Sequence, residues 1–177
     1  MSQAAHLDEL PYCPDTCELF ERIRDLPGAA LLDSSYPHSS AGRYDILTAA
    51  PAEAGLPDLP AGAGESTCRS FFAEVSRFHR DYYGAIQPAS RDLPFSGGLL
   101  GFLGYDCCNG LHRLDPVLGQ PADGSPPVHL RAYDWCIVQD HLLQRTVLVA
   151  QPTVSAAKRA ELLRRLRRRA PSDDGRF

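Results

Sequence analysis

The run Val128-His129-Leu130-Arg131-Ala132-Tyr133-Asp134-Trp135-Cys136-Ile137-Val138-Gln139-Asp140, followed beyond His141 by Leu142-Leu143-Gln144-Arg145-Thr146-Val147-Leu148-Val149-Ala150, holds the strongest β signal in the chain. β-Branched and aromatic residues dominate both halves, and almost nothing separates them. The pair predicts an antiparallel hairpin. Asp140-His141 falls at its turn, where a short carboxylate serves the turn geometry.

Outward from the hairpin, Ser155 predicts the cap of a helix whose apolar residues are Ala156, Leu162, Leu163 and Leu166. That helix ends in Arg164-Arg165-Leu166-Arg167-Arg168-Arg169. Arginines near a helix C-terminus interact favourably with its dipole, so this end reads as solvated or as a contact with a following domain. Residues 171–177 read as a linker. On the other side of the hairpin, residues 115–127 contain four prolines and predict a loop. Before them comes Leu93-Pro94-Phe95-Ser96-Gly97-Gly98-Leu99-Leu100-Gly101-Phe102-Leu103-Gly104-Tyr105-Asp106. The glycine spacing lacks the G-x-G-x-x-G of a dinucleotide site and the Lys-Ser/Thr of a P-loop. Glycines within a strand instead permit bulges and close backbone approach.

In the front half, Asp15-Thr16-Cys17-Glu18 predicts an N-cap with Glu at the third helical position. Leu19, Phe20, Ile23 and Leu26 then recur at helical spacing up to Pro27-Gly28. Ala29 to Ser34 predicts a short buried strand, residues 36–42 a loop, and Arg43 to Thr48 a second strand. Residues 51–64 read as a flexible Pro/Gly/Ala linker. Ser66 opens a helix with Phe71, Phe72, Val75, Phe78, Tyr82 and Tyr83 on one face. The whole predicts an α+β fold, an antiparallel β-sheet packed with about three helices, over residues 10–170. No internal repeat is visible.

Composition narrows the function classes. The 177 residues are 44% hydrophobic and 23% charged, ordinary for a globular domain with a real core. A net charge of -4 supplies no basic field for nucleic acid. No apolar run approaches the roughly 18 residues of a membrane helix. The first residues lack the basic and apolar regions of a secretory signal, so the expected setting is the cytoplasm. There the six cysteines are expected as free thiols. Cys13 with Cys17, and Cys107, Cys108 with His112, lack the repeated C-x2-C spacing of a zinc site.

The six histidines are scattered, and no Ser/His/Asp or Cys/His set emerges. Asp106 and Asp134 each follow a tyrosine and read as strand-end hydrogen-bonding residues. Ser34 stands apart. Asp33-Ser34 closes an apolar strand, and Arg43-Tyr44 follows the loop. A hydroxyl, a guanidinium and an aromatic ring together suit a small amino acid. Ser34 equally suits a role as the first residue of the loop.

Three segments carry a resemblance. Leu31-Leu32-Asp33-Ser34 with Arg43-Tyr44-Asp45-Ile46 resembles the start of component I of the anthranilate and aminodeoxychorismate synthases. Leu93 to Gly98, Gly101 and Gly104-Tyr105-Asp106 resemble that family's glycine signature. Tyr133 to His141 resembles its third landmark, and more closely its aminodeoxychorismate branch. The order and spacing match over residues 10 to 170. The resemblance implies an N-terminal domain of antiparallel sheet and helices that packs on a larger chorismate-binding C-terminal domain. The complete enzymes add ammonia to chorismate in the presence of Mg2+, and a glutamine amidotransferase, component II, supplies the ammonia. In the aminodeoxychorismate branch the product is 4-amino-4-deoxychorismate, for p-aminobenzoate and folate.

Chorismate and Mg2+ residues belong to the later domain, which this sequence lacks. No catalytic residue, metal ligand or cofactor is therefore assigned to it, and it is expected to be inactive alone. The resemblance also implies a tryptophan pocket, with Ser34 at the serine of a Leu-Leu-Glu-Ser element and Leu32, Arg43 and Tyr44 in the matching surroundings. Asp33 stands where the anthranilate pattern has Glu. The alternatives are the anthranilate branch, with tryptophan as feedback inhibitor, and a free-standing small-ligand module.

Overall fold

A computed structural model describes residues 3–87, 90, 92–104 and 128–167. In chain order its elements are β1 (Gln3–Ala4), β2 (His6–Leu10), α1 (Thr16–Glu21), β3 (Ala30–Leu32), β4 (Tyr44–Thr48) and α2 (Glu65–Tyr83). There follow β5 (Ile86–Gln87), β6 (Gly98–Leu103), β7 (Val128–Tyr133), β8 (Trp135–Asp140), β9 (Arg145–Ala150) and α3 (Ala156–Arg167). The fold is α+β, with three helices among the described residues and a five-stranded antiparallel sheet. The Tyr105-Asp106 end of the glycine signature, Cys107, Cys108, His112, the 115–127 loop and the 171–177 tail lie outside the described residues. The chain divides into two compact units, residues 1–51, 86–97 and 133–177, and residues 52–85 and 98–132.

Unit one is built on the sheet β2-β9-β8-β4-β3. The expected hairpin is β8 and β9, in register from Trp135 opposite Ala150 to Asp140 opposite Arg145. Strand alternation gives the sheet two different faces. Leu10, Leu47, Trp135, Ile137, Leu148 and Ala150 point to one, where Leu19 and Ile23 and then Leu162 and Leu166 cover them. Cys136, Val138, Val147 and Val149 point to the other, packed with Leu7, Tyr44, Ile46, Leu93 and Phe95. The strand β2 precedes every element expected from sequence and pairs antiparallel with β9. A two-residue parallel pair joins β1 to β5.

The helices of unit one start as their sequences predict. The Asp15 carboxylate accepts from the amides of Cys17 and Glu18 and fills two of the donors that a helix start leaves open. Ser155 caps α3 through the Lys158 amide, at 3.2 Å. α1 is shorter than its periodicity suggests. After Glu21 the backbone tightens to i→i+3 bonds, Ile23 N to Phe20 O at 2.9 Å among them, while Ile23 stays fully buried. A three-residue repeat and a helical repeat look alike over so short a stretch. The arginine-rich end of α3 is tied down within its unit. Arg165 donates to the Arg22 carbonyl and to Asp25, and the Arg22 guanidinium donates to Leu166 O. Arg159, one turn inside the helix, pairs with Asp8 of β2.

Unit two contains α2 and the two-stranded sheet β6-β7. Phe71 and Cys68 of α2 pack with Val128 and with Leu59, which residues 51–64 carry into this core. The glycine run behaves as a close-approach strand. A Cβ on Gly101 would run into the His129 carbonyl of β7. The run 128–140 is not one strand. It breaks at Asp134, whose carbonyl accepts from Gln151 N at 2.7 Å and whose carboxylate accepts from Thr153 at 2.9 Å. These bonds divert the chain, so β7 pairs with β6 while β8 pairs with β4 and β9. Continuous β propensity gives no sign of a change of partner.

Candidate functional site

Strand β4 and the residues on either side of it assemble the site in unit one. Alternation turns Tyr44 and Ile46 to one sheet face and Asp45 and Leu47 to the face covered by helices. Asp45 is thus a carboxylate in a core, only 2% exposed. Such a group is costly unless it is bonded on every side. Thr16, the first residue of α1, donates to Asp45 Oδ2 at 2.5 Å, and His141 Nε2 meets the same oxygen at 2.8 Å. The Ser34 amide donates to Oδ1 at 2.8 Å. Burial pushes the Asp45 carboxyl up. The bonds from Thr16, the Ser34 amide and His141 outweigh that and hold it below its ordinary value.

The network extends in both directions. Gln139 donates to Thr16 Oγ1 at 2.7 Å, and Thr146 donates to Gln139 Oε1 at 2.8 Å. His141 Nδ1 lies 2.8 Å from the Tyr12 hydroxyl. Burial, with smaller contributions from Tyr36, Asp45 and Cys13, raises the Tyr12 hydroxyl above its ordinary value, so it keeps its proton to donate. A neutral imidazole with its proton on Nε2 donates to Asp45 and accepts from Tyr12 at Nδ1. Tyr36 stacks on the imidazole with centroids 4.4 Å apart. His141 is a satisfied core residue, the ordinary reading of a lone histidine.

Ser34 meets this network through its amide. Its hydroxyl is buried, and its side chain also helps to hold the Asp45 carboxyl down. The loop around it is tight. A Cβ on Gly42 would lie 2.8 Å from the Ser34 carbonyl, and the Asp33 carboxylate folds back on the Ser35 amide at 2.5 Å. Leu32 sits on edge strand β3 opposite Ile46 and is 47% exposed.

Arg43 and Tyr44 belong to a different setting. The guanidinium donates to Asp140, Nη2 to Oδ2 at 2.8 Å, and lies 4.5 Å over the Tyr44 ring. The Tyr44 hydroxyl donates to Asp92 O at 3.2 Å. Asp140 also accepts the Leu142 and Leu143 amides at 3.1 Å, the turn role expected for it. Burial pushes Asp140 up, and Arg43 with these turn amides brings it below its ordinary value. The bond to Asp140 raises Arg43 in turn. Together they border a cleft of about 370 Å³ whose apolar wall is Leu93, Val138 and Val147.

The structure thus brings Arg43 and Tyr44 together, puts Ser34 on the Asp45 network, and leaves Leu32 at the sheet edge. One backbone bond links the first two groups, His141 N to Arg43 O at 2.9 Å. Residue-by-residue reading passed over Asp45, His141 and Tyr12. A signal for Asp45 was present, because strand alternation gives it the same face as Leu47, and a core carboxylate demands partners. Nothing in the sequence points to Tyr12, which is 129 residues from His141. Among the described residues, no three His, Cys, Asp or Glu side chains converge to hold a metal ion. The Cys136 thiol is pushed up to about 12 by burial and stays protonated.

No family model matches the chain. It is 30% identical over 140 residues to aminodeoxychorismate synthase component 1 of Klebsiella aerogenes, which covers 75% of this chain and 30% of that protein. Against aminodeoxychorismate synthase component 1 of Salmonella typhimurium it is 31% identical over 165 residues, 85% of this chain and 34% of that one. Against anthranilate synthase component 1 of Pseudomonas aeruginosa it is 28% identical over 171 residues, 84% of this chain and 33% of that one. The chain spans about one third of the length of these curated relatives. No helix among the described residues is long and apolar enough to cross a membrane.

Proposed function

This chain is a relative of component 1 of the aminodeoxychorismate and anthranilate synthases, and from that kinship we propose that it is the N-terminal scaffold and amino-acid-binding domain of an aminodeoxychorismate-type enzyme. The complete protein would aminate chorismate to 4-amino-4-deoxychorismate for p-aminobenzoate and folate. A chorismate-binding C-terminal domain would hold chorismate and Mg2+, and a glutamine amidotransferase component II would deliver the ammonia. The part of this chain would be binding and support. The observation that carries the proposal is the extent of the likeness, which reaches 85% of the chain for an aminodeoxychorismate synthase component.

Product analysis tests it. The longer protein containing this sequence, given chorismate, ammonia and Mg2+, is expected to release 4-amino-4-deoxychorismate by mass spectrometry. The 177-residue chain alone is expected to release nothing, and turnover by the pure chain would overturn the scaffold assignment. Anthranilate as the product would establish the second reading, which the likeness to the Pseudomonas aeruginosa protein favours.

Within the domain, the proposed ligand is tryptophan. What supports this is chemical fit. The Arg43–Asp140 pair offers both charges that an amino acid zwitterion needs. Tyr44 and Leu93 border the same cleft and offer a surface for an indole, and Ser34 is the hydroxyl of the proposed set. Leu32 is the remaining residue of the proposed set. Calorimetry with L-tryptophan is expected to give saturable heat, and a folded sample without heat overturns the pocket.

A further inference from the structure

We infer that Asp45, His141 and Tyr12 act as positioning residues for the ligand pocket, holding Ser34 and Arg43 in their bound geometry without touching the ligand. This rests on the tryptophan-pocket proposal above. The geometry that points to it is a divergence from one buried pair. Asp45 uses its two oxygens differently: Oδ2 takes Thr16 and His141, while Oδ1 takes the Ser34 amide at 2.8 Å. His141 also reaches out in two ways. Its ring bonds Asp45, and its own amide donates to the Arg43 carbonyl at 2.9 Å. Two residues, side chains 3% and 1% exposed, therefore grip the backbone at both Ser34 and Arg43.

The grip is stiff for a physical reason. Neither oxygen of Asp45 has solvent to fall back on, so its rotation is set by its partners alone. Thr16 is itself fixed by Gln139, and Gln139 by Thr146. On the other side Tyr12 occupies Nδ1, and the Tyr36 ring lies 8° from parallel with the imidazole. If the His141 donor is removed, a buried carboxylate is left one bond short. It must then turn or take up a proton, and both disturb the bond from Oδ1 to Ser34. The Ser34 side chain is carried on that backbone, so its position follows the bond from its amide to Oδ1.

The test compares His141→Phe, which keeps a ring under Tyr36 but removes both ring bonds, with His141→Gln, whose amide supplies a donor for Asp45 and an acceptor for Tyr12. Two readouts are taken on the full chain: L-tryptophan affinity by calorimetry, and amide hydrogen exchange at Ser34 and His141. In His141→Phe, tryptophan is expected to bind at least about tenfold more weakly and the Ser34 amide to lose about tenfold in protection, while amides of β8 and β9 keep theirs. His141→Gln is expected to recover most of both. Unchanged affinity and unchanged Ser34 protection in a folded His141→Phe chain overturn the inference. So does uniform loss of protection across the sheet with no recovery in His141→Gln, because that is the mark of general destabilisation. Absence of tryptophan heat in the unsubstituted chain removes the pocket proposal alone, and the exchange at Ser34 then decides whether the grip exists. Should His141→Phe fail to fold, Tyr12→Phe removes only the donor to Nδ1, and the same two readouts apply to it.

Discussion

The two faces of the five-stranded sheet each carry a carboxylate held below its ordinary value, and they hold it by different means. Asp45, on the helix-covered face, is held ionised by hydrogen bonds within a core, from a hydroxyl, an amide and an imidazole. Asp140, on the face with the cleft, is paired with an arginine that is 41% exposed. Water reaches the second pair and leaves it weak but able to exchange partners. Water does not reach the first, so it is costly to break and unsuited to exchange. The contrast separates two tasks that the sequence places side by side at Arg43-Tyr44-Asp45: an adaptable surface for a ligand, and a rigid frame behind it.

The dry apolar part of the helix-covered face sets the upper end of the scale. Leu148→Ala, at a fully buried site, is expected to cost about 3 kcal/mol. Val147→Ala on the other face loses less hydrocarbon and is expected to cost about 2 kcal/mol. Urea denaturation of both variants measures the difference, and a reversed order would contradict a cost set by the hydrocarbon removed.

Asp45→Asn comes next, at about 2 kcal/mol, because the new amide group presents protons where Thr16 and His141 already donate. The same variant tests the charge by its pH dependence. The folded-state carboxyl lies below its ordinary value of 3.8. The stabilisation it contributes is therefore complete above the unfolded value and lost as pH falls through the lower folded one. Acid titration of stability is expected to flatten in that window for Asp45→Asn relative to the unsubstituted chain, and an unchanged slope would contradict an ionised Asp45.

Asp15→Ala removes the α1 cap and is expected to cost about 1 kcal/mol. Thr16, which α1 delivers to Asp45, follows the cap directly, so a thermal melt should show more loss here than for Ser155→Ala at the start of α3. The smallest stability effect is expected for Arg43→Ala, because water screens its ion pair with Asp140. Its effect on L-tryptophan heat is expected to be the largest of these variants. A variant that loses stability but still binds tryptophan normally would move Arg43 from the pocket to the frame.

Much of the fold was legible because local chemistry and global packing agree. The Asp15 and Ser155 caps, the β8–β9 hairpin, the amphipathic α2 and the close-approach role of Gly101 all follow from residue type and spacing. The site was legible only in part. The sequence places Ser34 ten residues before Tyr44, and nothing in that spacing tells that the Ser34 amide turns to the helix-covered face while Tyr44 lines the cleft on the other. The Asp45 partners lie 29 and 96 residues away, beyond the reach of any local pattern.

What the amino-acid sequence determined by itself is the helix starts, the hairpin and the kinship with component 1 proteins, since these are written in short runs of neighbouring residues. What only the tertiary structure decided is where strand pairing changes and which side chains meet. Asp134 ends one β run and begins another because its hydrogen bonds go to residues 151 and 153. Thr16, Asp45, His141 and Tyr12 become one unit because the sheet register brings the turn after β8 beside β4 and the start of α1. A buried charge forces such groups to satisfy one another, but only the folded chain selects which ones are near enough to do so.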